Sequence, residues 1–244
     1  MEPRVKNIQP LGNGVFAAVS ERHTFGTDAV LLSYFAAAKD KDRLVDLGTG
    51  CGIIPLLMLR DGRLSSATGV EISAEAAALA RENAVRFKEK FSVYEGDMCA
   101  LPTDIFPAGG YTLVTCNPPY KAPGAGIVNP DPICAAARHE LACTLESIVK
   151  TAARLLQPGG RFCICQRPER AAELICLMSK MRVEPKRMRI VCKKTGCEPW
   201  LILLEGKKDA KPGLRISPPL FVYENGELSG EMHRIYGVYK EGHG

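Results

Sequence analysis

The sequence has no long apolar run and no secretion signal. Its longest apolar stretch, Ala29 to Ala38, is far shorter than the roughly 20 residues that a membrane-spanning helix needs. The charged start, Met1 to Asn7, is not followed by the apolar core of a signal peptide. We therefore expect no contact with a membrane and a cytoplasmic location.

The ten cysteines form no Cys-x-x-Cys pair, a spacing typical of metal sites. The closest two, Cys163 and Cys165, alternate with apolar residues in a strand-like run. Most of the others stand in apolar surroundings, where a free thiol packs as a small hydrophobe. We predict reduced structural thiols and no bound metal.

The composition is that of a globular chain. The 244 residues suffice for one large α/β domain, and 46% hydrophobic with 24% charged residues excludes a disordered chain. The formal net charge of +5 is compatible with a nucleic-acid partner. Many cytosolic enzymes share such a bias, so the charge alone does not identify the partner.

Strand-like and helical patterns alternate along the chain. This order predicts an α/β fold with a doubly wound, mainly parallel seven-stranded sheet of the Rossmann-like type. The last two strands are expected to pair antiparallel at the sheet edge. The seven predicted strands are Arg43–Leu47, Thr68–Glu71, Phe91–Glu95, Tyr111–Cys116, Arg161–Cys165, Lys186–Cys192 and Trp200–Glu205.

Helices are predicted between these strands and before them. Ser73 is expected to cap the second core helix, and Pro158-Gly159-Gly160 to stop the third. An earlier helix, capped by Thr27 or Asp28, precedes the first core strand, so we divide the chain into an N-terminal segment, 1–40, and a main domain, 41–244. The predicted helices are Asp28–Ala38, Ile53–Leu59, Ala74–Lys88, Leu141–Leu156 and Glu169–Lys180.

A glycine-rich loop follows the first core strand, with Gly48, Gly50 and Gly52 behind Asp46. Glycine lets a ligand approach the backbone without a Cβ in the way. The G-x-G-x-G spacing differs from the G-x-G-x-x-G of dinucleotide sites, and Asp46 would repel a pyrophosphate but suit an ammonium or sulfonium cation. We predict that these four residues bind a cofactor with a positive tail; a turn without a ligand is the alternative.

Acidic residues follow the next two strands. Glu71 ends the second strand, where an acid in doubly wound folds accepts hydrogen bonds from ribose hydroxyls. Asp97, just past the third strand, is placed to meet an adenine amino group, and we assign the neighbouring Ile72 and Met98 to the same pocket. With the glycine loop, these residues describe a site for S-adenosylmethionine.

The motif Asn117-Pro118-Pro119-Tyr120 stands directly after the fourth strand. The amide oxygen of Asn117 and the carbonyl of Pro118 can both accept from one NH₂ group, which points the nitrogen lone pair at a methyl donor and stabilises the developing charge. Tyr120 offers a face on which a planar substrate stacks. We predict these three as catalytic residues, with Asn117 also at the cofactor; a structural turn is the alternative.

These residues resemble the class I methyltransferases that act on amino nitrogens, whose hallmark is an (Asn/Asp/Ser)-Pro-Pro-(Tyr/Phe/Trp) loop. The resemblance covers about Arg43 to Cys165. Enzymes acting on adenine N6 of DNA and RNA, on guanine N2 and on glutamine N5 of release factors share this motif. The resemblance therefore implies the chemistry rather than the substrate.

A narrower resemblance rests on the flanks. His23 to Leu32, Ala137 to Glu140 and Pro218 to Tyr223 look like the bacterial tRNA1(Val) adenine-37 N6-methyltransferase family. It implies tRNA as the partner, and a segment 1–40 that packs over the cofactor with Thr27 near its methionine end; a plain helix cap is the alternative. We interpret Arg138 and His139 as substrate contacts, with an ordinary helix entry as the alternative.

Basic residues gather between Arg182 and Lys194. Arg187 and Arg189 alternate with apolar residues and would form one basic face of a strand. RNA phosphates would use such a face, and so would an exposed edge strand that avoids aggregation. We include both arginines among the predicted substrate contacts.

The expected function is methyl transfer from S-adenosylmethionine to N6 of a tRNA adenine. The same chemistry on DNA, ribosomal RNA or a protein glutamine remains open, as does a module that binds cofactor or RNA without catalysis. We see no target-recognition domain of the DNA enzymes and no helical N-terminal domain of the glutamine enzymes. An intact Asn-Pro-Pro-Tyr motif argues against a module that only binds.

Overall fold

The structure is a computed structural model that describes residues 7–87, 89–118 and 143–237. Strands and helices alternate through its centre, as predicted. The strands are β1 (Asn7–Gly12), β2 (Val15–Val19), β3 (Arg43–Leu47), β4 (Ser66–Glu71), β5 (Phe91–Glu95), β6 (Tyr111–Cys116), β7 (Leu156–Gln166), β8 (Val183–Cys192), β9 (Pro199–Lys208), β10 (Arg215–Ile216), β11 (Leu220–Phe221), β12 (Tyr223–Glu224) and β13 (Glu227–Leu228). The helices are α1 (Thr27–Ala36), α2 (Ile53–Arg60), α3 (Ala74–Ala84), α4 (Leu145–Leu155), α5 (Ala171–Lys180) and α6 (Gly230–Tyr236).

The molecule is built around one central sheet. Its strand order is β10-β8-β9-β7-β6-β3-β4-β5, and β11 also pairs with β8. Only β9 runs antiparallel to its neighbours, β7 and β8. Seven of these strands are the predicted ones, so the doubly wound, mainly parallel sheet is confirmed. The two-residue strands β10 and β11 were not predicted, and they cover the side of β8 that was expected to be an open edge.

Helices cover both faces of the sheet, because its strands are apolar on both faces. Along β7, Cys163 and Cys165 enter one core cluster while Phe162 and Ile164 enter the other. The first cluster also takes in residues of α1, α2 and the β1–β2 hairpin, and the second takes in the apolar faces of α4 and α5. In the described ranges no helix is long and apolar enough to span a bilayer.

Two of the predicted helices, α1 and α4, need corrected boundaries. Helix α1 is capped by Gly26 without a side-chain hydrogen bond, so neither Thr27 nor Asp28 caps it; the Asp28 carboxylate instead accepts from the Ala29 amide. Helix α4 starts at Leu145, later than predicted, because Thr144 accepts from the Ser147 amide and caps it there. It ends at Leu155, ahead of the predicted stop, and Gly159 (φ 78°) lies in the irregular start of β7.

Candidate active site at the carboxyl ends of the strands

Four strand ends meet at one edge of the sheet. Strands β4, β3 and β6 are parallel neighbours, and β5 lies beyond β4. The strand order reverses between β3 and β6, and open α/β sheets bind ligands at the carboxyl ends beside such a reversal. The predicted residues Asp46, Glu71, Asp97 and Asn117 each stand at or just beyond one of these four ends.

Gly50 and Gly52 require glycine for different reasons, although both have a positive φ, 57° and 83°. A Cβ on Gly50 would meet no described atom within 4 Å, so this backbone borders space that a ligand can approach. A Cβ on Gly52 would stand 3.0 Å from Cζ of Phe91, so core packing requires glycine there. Gly48 faces Met98, whose sulfur would lie 3.9 Å from a Cβ.

Asp46 lies beneath the glycine loop and is only 1% exposed. Its Oδ1 accepts from the Thr115 hydroxyl (2.6 Å), and its Oδ2 accepts from the Thr49 hydroxyl (2.7 Å). Burial raises the pKa of Asp46 to about 7, against the opposing effect of these two hydrogen bonds. Asp46 thereby holds the glycine loop to β6 from inside, and its contact with a cofactor stays a prediction.

Glu71 joins the loop to the start of α3. Its Oε2 accepts from the Gly50 amide at 2.8 Å, and its Oε1 accepts from the Ser73 amide at 2.9 Å. A carboxylate offers about four acceptor positions, so these bonds are compatible with further hydrogen bonds from ribose hydroxyls. Ser73 caps α3 through the Ala76 amide, as predicted.

Ile72, Met98 and Asp97 form the corner of the site between β4 and β5. Ile72 is 45% exposed, which is large for isoleucine, and Met98 is partly buried against the second core cluster. The Cys99 amide donates to Oδ1 of Asp97 at 2.7 Å and fixes that carboxylate. Apolar side chains beside a few fixed polar groups are typical of a small-molecule pocket.

Cys99 and Cys143 are joined by a disulfide, so the expectation of reduced thiols is wrong for this pair. The bond links the loop after β5 to the residue before the α4 cap. The two sulfurs and a carboxylate oxygen of Asp97 all lie within 4.8 Å of one another. A disulfide sulfur is not the thiolate that ligates metals, so we assign no metal to this group. The free thiols of the described ranges are Cys51, Cys116, Cys163, Cys165, Cys176, Cys192 and Cys197.

Asn117 follows β6 directly, and Pro118 is buried behind it. The thiol of Cys165, near the end of β7, donates to Oδ1 of Asn117 at 2.9 Å. An amide oxygen has two lone pairs, so it can accept from a thiol and from an amine together. Tyr120, Arg138 and His139 lie outside the described residues, and their roles stay predictions.

The N-terminal segment contacts the elements that carry the site. The Thr27 hydroxyl at the start of α1 hydrogen-bonds the Tyr236 hydroxyl of α6 at 3.1 Å. Nε2 of His23 lies 3.6 Å from a carboxylate oxygen of Glu75, in the first turn of α3. The segment shares the first core cluster with α2 and α3. The contact of Thr27 with a cofactor stays a prediction.

Arg187 and Arg189, which were predicted as substrate contacts, both take part in ion pairs in the structure. The Arg187 guanidinium stacks 4.1 Å above the ring of Phe35 and donates to Glu205 at 2.9 Å. Arg189 donates to both carboxylate oxygens of Glu231, at 2.6 and 2.7 Å, and lowers the pKa of Glu231 through these bonds. These contacts join α1 and α6 to the sheet, through Phe35 and Glu231.

Asn83 is a buried residue of the site that was not predicted from the sequence. Its Oδ1 accepts from the Ala18 amide at 2.6 Å, and its Nδ2 donates to the carbonyls of Ala18 (3.0 Å) and Cys51 (2.8 Å). It thereby ties β2 and the glycine loop to α3. The available signal was an asparagine three residues after Ala80, within the apolar stripe of a helix.

Comparison with known proteins agrees with this geometry. The family model of the methyltransferase small domain matches residues 11–196. The tRNA1(Val) (adenine(37)-N6)-methyltransferase of Aeromonas hydrophila is 29% identical over 222 residues, 88% of this chain and 85% of that protein. The enzyme of that name from Tolumonas auensis is 30% identical over 182 residues, 73% of this chain and 74% of that protein. The one from Dickeya chrysanthemi is 30% identical over 158 residues, which are 64% of this chain and 61% of that relative.

Solved structures show the same fold at lower identity. A protein of Agrobacterium tumefaciens, described as a predicted O-methyltransferase, has a TM-score of 0.69 at 21% identity and covers 87% of this chain and 97% of its own. The geranyl diphosphate C-methyltransferase of Streptomyces coelicolor has a TM-score of 0.54 at 16% identity, over 74% of this chain and 78% of its own. At such identities these matches show the Rossmann-like class I methyltransferase fold and nothing of the substrate.

Proposed function

The chain belongs to the methyltransferase small domain family and to the family of the tRNA1(Val) (adenine(37)-N6)-methyltransferases, and on that premise we propose that it methylates N6 of adenine 37 in a tRNA. The methyl donor in the proposal is S-adenosylmethionine. The names of the relatives support the substrate, and the residues at the carboxyl edge of the sheet support the chemistry.

The observation that carries the proposal is the pairing of Leu47 with Cys116 in the β3–β6 ladder. Because Gly48 follows Leu47 and Asn117 follows Cys116, the cofactor loop and the amine acceptor start about 5 Å apart, the spacing of neighbouring strands. A methyl transfer needs the donor and the nucleophile side by side in this way. The motif alone could not show this proximity.

The residues present fit the donor. The open space at Gly50 admits a ligand against the backbone, Glu71 has acceptor positions for ribose, and Ile72, Asp97 and Met98 offer an adenine corner. When bound, S-adenosylmethionine supplies an electrophilic methyl group on a sulfonium. Asp46 holds the loop against β6, and its direct contact with the positive end of the donor belongs to the proposal.

Asn117 and Pro118 handle the substrate amine in the proposal. The amide oxygen of Asn117 and the carbonyl of Pro118 each accept one hydrogen of the exocyclic NH₂ group. These two bonds turn the nitrogen lone pair toward the donor and strengthen as positive charge develops on nitrogen, so they favour the transition state over the ground state. The nitrogen can lose its proton after the transfer, and the chain then needs no general base.

The remaining assignments belong to the same proposal. Tyr120 provides a stacking face, Arg138 and His139 contact the substrate, and the segment 1–40 packs Thr27 against the cofactor. The target base must be flipped out or already unpaired to reach such a pocket, as the bases of an anticodon loop are. The cytoplasmic location is part of the proposal.

Labelled S-adenosylmethionine tests the proposal when it is offered with total tRNA, ribosomal RNA, DNA or protein in parallel. We expect label in tRNA, recovered as N6-methyladenosine after digestion to nucleosides. The matched control is Asn117→Ala, which should bind the donor within a few-fold of the wild type and transfer about 10²-fold more slowly. Label only in DNA, ribosomal RNA or a protein glutamine would refute the tRNA substrate and keep the amine chemistry.

A further inference from the structure

We propose that Lys186, Lys207, Lys211 and Arg215 form a surface that binds the phosphate backbone of the RNA, away from the methylation site. These four side chains are called the basal patch below. The proposal rests on the proposed function, since it takes an RNA as the substrate. It specifies where the rest of the RNA, outside the methylated base, contacts the protein.

The fold brings the four residues together from separate strands. The Lys186 ammonium donates to the carbonyl of Lys211 at 3.1 Å. Arg215 of β10 is paired with Arg187 of β8, the residue next to Lys186. Lys207 lies on the adjoining strand β9, paired with Glu184 of β8. All residues from 211 to 216 are exposed, so this stretch presents its cations to solvent.

The charges of the neighbouring arginines are balanced by carboxylates, whereas those of the patch are not balanced within the described ranges. Arg182, Arg187 and Arg189 pair with Asp209, Glu205 and Glu231. Within the described part of the chain no carboxylate forms an ion pair with the four cations of the basal patch, and Glu184 is the acid that faces Lys207 across the ladder. Because the nearby Asp209 is paired with Arg182, the four cations of the patch exceed the acids around them, so they attract a polyanion and would release its counterions on binding.

The position of the basal patch suits the stem of a structured RNA. Strand β8 runs parallel to β6, so its end at Cys192 lies at the edge that carries Asn117, and Lys186 lies toward the opposite edge. The six residue steps along β8 from Lys186 to Cys192 span roughly 20 Å at about 3.3 Å per residue, and β8 lies three strands from β6, roughly 14 Å at about 4.8 Å per strand. The two offsets combine to about 25 Å, which is the distance that an RNA stem must cover between the pocket and the patch. An RNA with its base in the pocket can therefore lay its stem along the sheet edge to the patch.

Two apolar neighbours, Leu214 (37% exposed) and Ile216 (59% exposed), flank Arg215 in the same stretch. Cations mixed with apolar side chains also suit an anionic membrane surface. RNA is favoured because only two apolar side chains are exposed here, whereas the four cations are spread over β8, β9, β10 and the segment between β9 and β10. The experiment includes an arm for the membrane.

The test compares two triple variants that change the formal net charge equally, from +5 to +2, since each removes three cations. Lys186→Gln/Lys211→Gln/Arg215→Gln removes most of the basal patch. The control, Lys41→Gln/Lys90→Gln/Lys150→Gln, changes exposed lysines before β3, before β5 and on α4. Thermal melting of both proteins verifies that they fold.

The dissociation constant for unmodified tRNA is measured at several salt concentrations. We expect the patch variant to bind about 10-fold or more weakly at low salt, with a salt slope smaller by about one for each lost phosphate contact. Its KM for tRNA should rise with kcat and donor affinity unchanged, and the control should match the wild type. A hairpin whose stem has only about three base pairs is much shorter than this distance, so it cannot reach the patch and should be methylated equally by all three proteins.

The outcomes separate the two proposals. Normal tRNA methylation by the wild type, with equal tRNA binding by the patch variant and the control, overturns the basal patch alone. Loss of binding to phosphatidylserine vesicles in the patch variant, without loss of tRNA binding, assigns the surface to a membrane and overturns the RNA assignment. A wild type that neither binds nor methylates tRNA overturns the proposed function and the patch with it.

Discussion

The thiol of Cys165 donates a hydrogen bond to the amide oxygen of Asn117 across 2.9 Å. Cys165 is 0% exposed and paired with Leu203 of β9, so the donor sits in a fixed part of the sheet. Asn117, in contrast, follows the end of its strand. The contact therefore holds the oxygen that is proposed to accept from the substrate amine.

We expect Cys165→Ala to lower kcat by roughly 10-fold, because a misplaced acceptor loses transition-state stabilisation. The KM for S-adenosylmethionine should stay within about two-fold, since the thiol does not line the cofactor pocket in this assignment. Cys165→Ser keeps a donor at the same place and should retain most of the activity. Steady-state kinetics with tRNA check both variants, and an alanine variant with wild-type kcat would show that the contact only packs the sheet.

Residues close in sequence to a strand end were predictable, and residues joined by distant contacts were not. The positions of Glu71 and Asn117 follow from reading where each buried strand stops. The partner of Asn83 lies 65 residues away, the partner of Arg189 lies 42 residues away, and the disulfide spans 44 residues. The strands β10 and β11 have two residues each, which is too short for a periodic pattern. Their pairing with β8 could therefore not be predicted.

The raised pKa of Asp46 predicts a pH dependence of stability. The group has its ordinary pKa of 3.8 in the unfolded chain and about 7 in the folded protein, so the folded protein binds more protons between about pH 4 and pH 7. The free energy of unfolding should therefore fall as the pH rises through this window and level off above it, by at most about 1.4 kcal/mol per unit of pKa difference. Urea denaturation of wild type and Asp46→Asn at each pH isolates this contribution. A stability difference between the two proteins that does not change with pH would contradict the raised pKa of Asp46.

The ion pair of Arg189 with Glu231 predicts an effect on stability and none on RNA binding. Arg189→Ala should lower the melting temperature, because it leaves a partly buried Glu231 carboxylate without its two donors. A double-mutant cycle with Glu231→Gln should show coupling at neutral pH. The coupling should fade as the pH falls through the lowered pKa of Glu231, because protonation removes the charge. The salt slope of tRNA binding by Arg189→Ala should equal that of the wild type. A smaller slope would show that Arg189 contacts RNA phosphate.

Asn83 predicts a link between the N-terminal hairpin and the cofactor loop. Asn83→Ala removes three buried hydrogen bonds and leaves the Ala18 amide and two carbonyls without this partner. Each buried polar group left unpaired costs about 1–3 kcal/mol, so we expect a melting temperature lower by several degrees.

The same change should weaken S-adenosylmethionine binding, because the Cys51 carbonyl lies in the glycine loop between Gly50 and Gly52. Calorimetric titration well below the melting temperature measures this loss on folded protein, and we expect roughly a 10-fold weaker affinity. Thr112→Ala is the matched control, because Thr112 also makes cross-element hydrogen bonds, to Arg43 and Asp42, but at the amino ends of the strands. This variant should destabilise the fold without weakening the binding of S-adenosylmethionine. If both variants lose stability and both keep full affinity, Asn83 supports the fold alone and the hairpin does not act on the loop.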